Sequence, residues 1–288
     1  MINNTLVTCE ILNFNDYKTV EKLVDTIKNY DSLDYIVVVD NFSTDNSFSE
    51  LTNRYKRNEK VKVISSLKNG GYGYGNNFGI KYARSKLNSK YVILANPDVF
   101  FSNQTVKELV TVMQKKRATI VSAVQKVNHK AIEDRAWKIP SALEWTLGNI
   151  KTFSKLRTKY HYSEEYFSKS DVVQVDCVPG AMFLLDVEKF LSVGGFDEKV
   201  FLFGEETILG FKLRQREYKT FLCNKLFYDH EHSVSINKSI PSKVRQYKMI
   251  DKSKRYFIKE YIKPNKFVLA ISELALRRFE KKISQNIK

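Results

Sequence analysis

The sequence predicts an α/β domain with a mostly parallel sheet and helices on both faces, followed by a basic helical extension. Three observations lead there. The runs Asp34–Asp40 (DYIVVVD), Val61–Ser65 and Tyr91–Leu94 are short, apolar and largely β-branched, as in strands buried on both sides. Between the first strands lie helical patterns, with Val20, Leu23, Val24 and Ile27 at i, i+3, i+4 and i+7. Successive strands end in Asn, Asp, Ser or Gly clusters, which a parallel sheet brings to one edge, the edge where open α/β sheets bind ligands.

The first strand is Thr5–Asn13, entering Phe14-Asn15-Asp16 and the helix through Ile27. Asp34–Asp40 ends in the polar cluster Asp40–Ser47, whose latter part supplies cap residues for a helix over Phe48–Tyr55. Val61–Ser65 leads into Asn69–Gly79, NGGYGYGNNFG, which places four glycines within six residues. Such density implies close approach of backbone or positive φ. It matches neither G-x-G-x-x-G nor G-K-[ST], which argues against a dinucleotide or P-loop site. A helix then runs to about Leu87. The strand Tyr91–Leu94 stops at Asn96-Pro97-Asp98, and the Asn-Pro step turns the chain so that Asp98 stands at the strand's C-terminal end.

Residues 103–117 are amphipathic, and Ile120–Val124 reads as a strand. Glu133–Tyr166, rich in basic and aromatic residues, reads as an excursion from the sheet lying over the site; His129 and His161 have no identifiable partners. Val172–Val178 alternates, Pro179-Gly180 turns, and Met182–Leu185 is a buried strand. A short helix over Val187–Val193 stops at Gly194-Gly195. Glu205 and Glu206 open a helix, where carboxylates favour the dipole. The last strand, Tyr218–Tyr228, runs into Asp229-His230-Glu231-His232; the two histidines are two residues apart on an extended segment, so at most one of them reaches a common site.

Composition narrows the function. With 43% hydrophobic and 13% aromatic residues, the chain of 288 builds a core of one large domain or one domain plus an appendage. Cys9, Cys177 and Cys223 are odd in number and lack metal-ligand spacing, which points to a reducing compartment without disulfides or a zinc site. No signal peptide is expected, and no transmembrane helix, since the best window, Phe267–Leu276, is short and holds Glu273. Of the net +16, residues 237–288 carry +11, from fifteen Lys and Arg against four Asp and Glu. The domain division is therefore 1–236 for the α/β body and 237–288 for a basic amphipathic tail.

Six segments in order resemble the family 2 glycosyltransferases with the GT-A fold, in particular their bacterial rhamnosyltransferase-like or galactofuranosyltransferase-like branch. They are ILNFN (Ile11–Asn15), VVDNFSTDNS (Val38–Ser47), NGGYGYGNNFG (Asn69–Gly79), NPD (Asn96–Asp98), PGAMFLLDVEKFLSVGGFDEKVFLFGEE (Pro179–Glu206) and DHEHSVS (Asp229–Ser235). The resemblance covers roughly residues 5–235. It implies that Asn13, Asn15, Asp40, Asn41, Ser43 and Asn96 line a nucleotide-sugar pocket, with Asp40 accepting from the base. It implies that Gly71 and Asn77 admit the ribose or diphosphate, and that Asp98 and His230 hold Mg²⁺ or Mn²⁺. Glu206 falls at the general base, with Glu205 as the second candidate. This sequence departs from the family at Glu206, which stands where the family has Asp, at Ile208, which replaces an acidic residue, and at Asn96, which replaces the first Asp of D-x-D.

The implied reaction is inverting transfer from dTDP-rhamnose or a UDP-sugar to a glycan hydroxyl, the acceptor polyprenyl-linked, in bacterial surface polysaccharide synthesis. The implied location is cytoplasmic, at the inner face of the membrane, with the tail against anionic lipid. A nucleotidyltransferase would carry a Gly-rich loop with Arg and Lys near the first strand, where this chain has ILNFNDY. A basic nucleic-acid-binding protein is the other alternative, but most of the charge lies in the tail and no nucleic-acid motif is present.

Overall fold

The computed structural model describes residues 5–148, 150–231 and 242–286. Its centre is a ten-stranded sheet with the path β3-β2-β1-β4-β9-β6-β10-β5. Strands β1 (Val7–Asn13), β2 (Tyr35–Asp40), β3 (Val61–Ser65) and β4 (Tyr91–Ala95) are mutually parallel, as the buried runs predict. The sheet is mostly, not wholly, parallel. β9 (Met182–Asp186) is antiparallel between β4 and β6 (Ile120–Val127), because an apolar run carries no signal of strand direction. β10 (Thr220–His230) is parallel to β6. The short strands β5 (Val99–Phe100), β7 (Lys130–Ala131) and β8 (Val172–Val175) add antiparallel pairs at β10, β6 and β10. The C-terminal ends of β1, β2, β4, β6 and β10 therefore share one edge, and β9 enters the sheet from it.

Helices cover both faces. On one lie α1 (Tyr17–Ile27), α2 (Ser47–Tyr55) and α4 (Asn103–Lys116). The α1 stripe Val20, Leu23, Val24 and Ile27 is fully buried, each side chain contributing about 1.5–3 kcal/mol of transfer free energy. On the other face lie α3 (Tyr72–Leu87), α8 (Val187–Ser192) and α9 (Glu205–Gln215). The cap expected before α2 takes a different form: Asn46 occupies the N-cap without a side-chain bond to the helix backbone, and the Asp45 carboxylate accepts from Ser47 N instead.

The glycine-rich stretch also differs from its reading as a loop. Helix α3 starts at Tyr72, so Gly73, Gly75 and Gly79 lie in its first two turns. A Cβ on Gly75 would stand 2.3 Å from Leu12 Cδ1, and one on Gly79 2.6 Å from Val39. These residues carry no side chain because the helix lies directly on β1 and β2, and that packing outweighs the low helix propensity of glycine. Beneath α3, Glu10 is fully buried with no hydrogen-bond partner for either oxygen, and burial pushes its pKa well up, which favours the neutral acid.

Between β7 and β8 the excursion forms α5 (Ala142–Leu147), α6 (Ser154–Lys159) and α7 (Glu164–Ser168). Both histidines near it have partners: His161 Nδ1 lies 2.8 Å from Asp134, and His129 Nδ1 3.6 Å from Asp229.

The proposed boundary at residues 236 and 237 lies outside the described residues. From Ser242 the tail forms α10 (Lys243–Phe257), a wide turn over Ile258–Ile262, and α11 (Lys266–Asn286). It is packed on the body. Phe257 is fully buried, edge-on to Trp145 at 5.0 Å and Phe211 at 5.7 Å. Tyr256 and Tyr261 both donate to Asp197 Oδ2, at 2.8 and 2.5 Å. The outer side of α11 leaves Phe267 74% and Leu274 68% exposed beside Arg277 and Arg278. Among the described residues no helix is long and apolar enough to cross a membrane.

Candidate active site

A cavity of about 670 Å³ opens at the C-terminal edge of the sheet. Of the residues expected from sequence, Asn41, Gly71, Asn96, Glu205, Glu206 and His230 line it. Asn13, Asn15, Asp40, Ser43, Asn77 and Asp98 are not among its lining residues. At the ends of β1 and β2, Asn13 Nδ2 donates to Asp40 Oδ2 at 2.8 Å and to Ser43 Oγ at 3.2 Å, while Ser43 Oγ donates to Asp40 at 2.6 Å. Asn15 N–H donates to Ser43 Oγ, and its side chain accepts from Thr44 N–H. This closed knot fixes the loop after β2. Asn41 Nδ2 donates to the Gly71 carbonyl and to Asn69, tying that loop to the start of α3.

Gly71 has a double reason to be glycine. Its φ is +90°, and a Cβ there would meet the Phe201 carbonyl at 2.1 Å. Asn77 is buried, and its amide is committed within the protein: Nδ2 donates to Phe196 O and Glu198, and Oδ1 accepts from Phe196 N. It holds the Phe196–Glu198 loop against α3.

At the other side of the cavity, Asp98 is 2% exposed, and His230 Nε2 donates to its Oδ1 at 3.1 Å. Gln125 Nε2 donates to His230 Nδ1 at 3.0 Å, and Tyr228 OH donates to Gln125 Oε1 at 3.1 Å. This chain sets the imidazole plane. Neither Gln125 nor Tyr228 is marked in the sequence as belonging to the site; they meet because β6 and β10 pair with Tyr228 opposite Gln125. His232, the alternative to His230, lies outside the described residues. Among the described residues there is no group of three or more His, Cys, Asp or Glu that could hold a metal ion.

The third wall is the entry to α9. Phe203 and Gly204 both take left-handed backbone, at φ 73° and 91°. For a bulky residue such as Phe203 this is a strained conformation, and strain of this kind gathers at functional sites. The turn delivers Glu205 and Glu206 together. Glu205 is 3% exposed and its Oε1 has no partner; burial and then the charge of Glu206 raise its pKa well above the usual range. Glu206 is partly exposed to the cavity, its Oε1 accepts from Gly180 N at 3.2 Å, and burial raises its pKa. Tyr72 OH donates to Gly180 O at 2.7 Å. Gly180 is thus held through its carbonyl by Tyr72 and holds Glu206 through its N–H.

The arrangement sets an imidazole backed by the Asp98 carboxylate, the carboxylates of Glu205 and Glu206, and the side chains of Asn41, Asn69 and Asn96 around one cavity. The glycosyl transferase family 2 model matches residues 10–190. A low-salt glycan biosynthesis hexosyltransferase, Agl10 of Haloferax volcanii, is 26% identical over 220 residues, 76% of this chain. The chain spans 66% of the length of that relative. The mannosyltransferase PcManGT from Pyrobaculum calidifontis, solved with GDP-Man and Mn²⁺, superposes with a TM-score of 0.61 at 15% identity, over 94% of this chain and 69% of its own. GalNAc-T7, solved with UDP, GalNAc and Mn²⁺, gives 0.62 at 14% identity, over 96% of this chain and 55% of its own. These two likenesses concern the fold, and they agree with the GT-A expectation. On the family model, which spans well over half of its length, the chain belongs to glycosyl transferase family 2.

Proposed function

We propose that this protein is an inverting glycosyltransferase that moves a sugar from a nucleoside-diphosphate donor, dTDP-rhamnose or a UDP-hexose, to a hydroxyl of a glycan acceptor. The observation that carries the reading is a single cavity lined by Glu206 at one wall and by Asn96 and His230, with Asp98 directly behind, at another. Asn41 and Gly71 form its floor, backed by the Asn13–Asp40–Ser43 knot, which supports a nucleoside site there.

The Asp98–His230 pair suits a divalent cation that keeps open positions. Ligation by His230 Nε2 would require the imidazole proton to sit on Nδ1 and Gln125 to turn its amide oxygen toward it; the pair would then supply one carboxylate oxygen and one imidazole nitrogen, leaving the remaining sites to a diphosphate and water. When bound, Mg²⁺ or Mn²⁺ would neutralise charge growing on the leaving diphosphate. Glu206 takes the proton of the acceptor hydroxyl as the new C1–O bond forms. The bond from C1 to the phosphate oxygen breaks at the opposite face, and the nucleoside diphosphate leaves with the electron pair. Raised by burial, the Glu206 pKa makes this carboxylate a better base than a solvated one. Gly180 and Tyr72 keep it in place.

A donor screen read by mass spectrometry tests the reading. Consumption of one dTDP- or UDP-sugar is expected in Mn²⁺ or Mg²⁺ and loss of it in EDTA, accompanied by a rise in Tm with the matching nucleoside diphosphate plus metal. No sugar nucleotide consumed and no Tm shift would sink it.

The acceptor in this reading is a polyprenyl-linked glycan of a bacterial surface polysaccharide, met at the cytoplasmic face of the membrane. The exposed stripe Phe267 and Leu274 on α11, flanked by Arg277 and Arg278, supports membrane contact. Basic residues near an anionic surface contribute roughly 1 kcal/mol each. Flotation with phosphatidylglycerol liposomes is expected for the wild type and is expected to fall severalfold in the Phe267→Glu/Leu274→Glu variant. Equal flotation of the two would remove the membrane from the reading.

A further inference from the structure

A second cavity, of about 340 Å³, lies between the loop before α9 and helix α10. Val200, Leu202 and Met249 give it an apolar lining, and Lys199, Arg245 and Lys252 line it as well. No carboxylate is among its described lining residues. The cations are not taken up internally: among the described residues no ion pair involves Lys199, Arg245 or Lys252, whereas the neighbouring Arg255 is bound to Asp251 and Glu273. Asp197, the nearby acid of the same loop, is occupied by the hydroxyls of Tyr256 and Tyr261. The cavity adjoins the larger one, and Phe201, Leu202 and Arg245 line both.

An apolar lining with uncompensated positive charge selects an amphiphilic anion. Its charged group would accept from lysine and arginine while the adjoining hydrocarbon covers Val200, Leu202 and Met249. We infer that this second cavity is the acceptor subsite and that it binds a phosphate group joined to a hydrocarbon chain, placing the acceptor's sugar hydroxyl in the neighbouring donor cavity. The inference rests on the glycosyl-transfer reading above. It adds to it the residues that would choose the acceptor.

Its test is equilibrium binding of decyl phosphate to the full-length protein, with decyl glucoside as the neutral match and inorganic phosphate as the head group alone. Decyl phosphate is expected to bind at least about tenfold more tightly than either, and Lys199→Glu/Lys252→Glu to lose at least about tenfold of that affinity. Hydrolysis of the sugar nucleotide in the absence of acceptor is expected to stay within about twofold of wild type in the same variant, since neither lysine lines the donor cavity. Equal affinity for the anionic and neutral ligands, or equal binding by wild type and variant, overturns the inference. So does binding to phosphatidylglycerol vesicles without binding to monomeric decyl phosphate, which assigns these lysines to bulk lipid. Failure of the donor screen with decyl phosphate binding intact would instead overturn the transfer reading and leave an anionic amphiphile site.

Discussion

Replacing Asp98 with Ala is expected to lower sugar transfer on the order of 10²–10³-fold, the loss typical when a group stabilising transition-state charge is removed. Asp98 supplies the carboxylate of the Asp98–His230 pair, and no other Asp or Glu joins it in a metal-binding group among the described residues. The fold is expected to survive. β5 pairs with β10 through backbone bonds, with Val99 opposite His230, and Glu231 N–H donates to the Asp98 carbonyl. What is lost is the acceptor of His230 Nε2, a stability cost of about 1 kcal/mol. Steady-state transfer rates over a Mn²⁺ titration, beside a thermal melt, separate the two effects. A variant within tenfold of wild-type turnover at every metal concentration would show that Asp98 does not bear on the leaving group.

Glu206→Gln is expected to cut transfer by about 10²–10⁴-fold, the usual contribution of a positioned base. Gln keeps an oxygen to accept from Gly180 N, so geometry is retained and only the proton acceptor is lost. The wild-type rate should rise with pH as Glu206 ionises, and the rise should be centred above the ordinary carboxylate range because burial lifts its pKa. The Gln variant should be flat over that interval. Tyr72→Phe, which frees the Gly180 carbonyl, should lower kcat severalfold with donor KM unchanged.

Glu205→Gln is the counterpart. Burial and then the Glu206 charge raise the Glu205 pKa and favour its neutral acid, which Gln resembles, so transfer should stay within about threefold of wild type. A carboxyl with a raised pKa holds its proton in the folded chain after the unfolded chain has released it. Its contribution to stability is therefore complete below the unfolded pKa and falls as pH rises toward the folded value. Melts of Glu205→Gln should lose that part of the slope. If Glu205→Gln rather than Glu206→Gln abolishes transfer, the two roles are exchanged.

How much of this was legible without coordinates varies element by element. Strands β1 to β4 and the helices after them follow from local pattern, because buried parallel strands and amphipathic helices write their periodicity into the chain. β9 looked like one more buried strand, yet it runs antiparallel between β4 and β6. The glycine run read as a loop, yet most of it is helix. Its composition records how near α3 comes to β1 and β2 rather than what the backbone does locally. Asn77 was expected at the ligand and is instead bonded to the Phe196–Glu198 loop, a partner about 120 residues away in the chain.

The sequence by itself determined the α/β class, the edge at which Asp40, Asn96 and His230 gather, and, by its ordered motifs, the family. All of these depend on residue type and local spacing, which the chain carries directly. Only the tertiary structure decided which side chains work together. It set Gln125 and Tyr228 behind His230, linked Tyr72 to Glu206 through the Gly180 backbone, and folded the basic tail back so that Arg245 and Lys252 line a cavity beside the larger one. The physical reason is that these contacts are set by strand pairing and helix docking between distant segments, and no spacing along the chain encodes them.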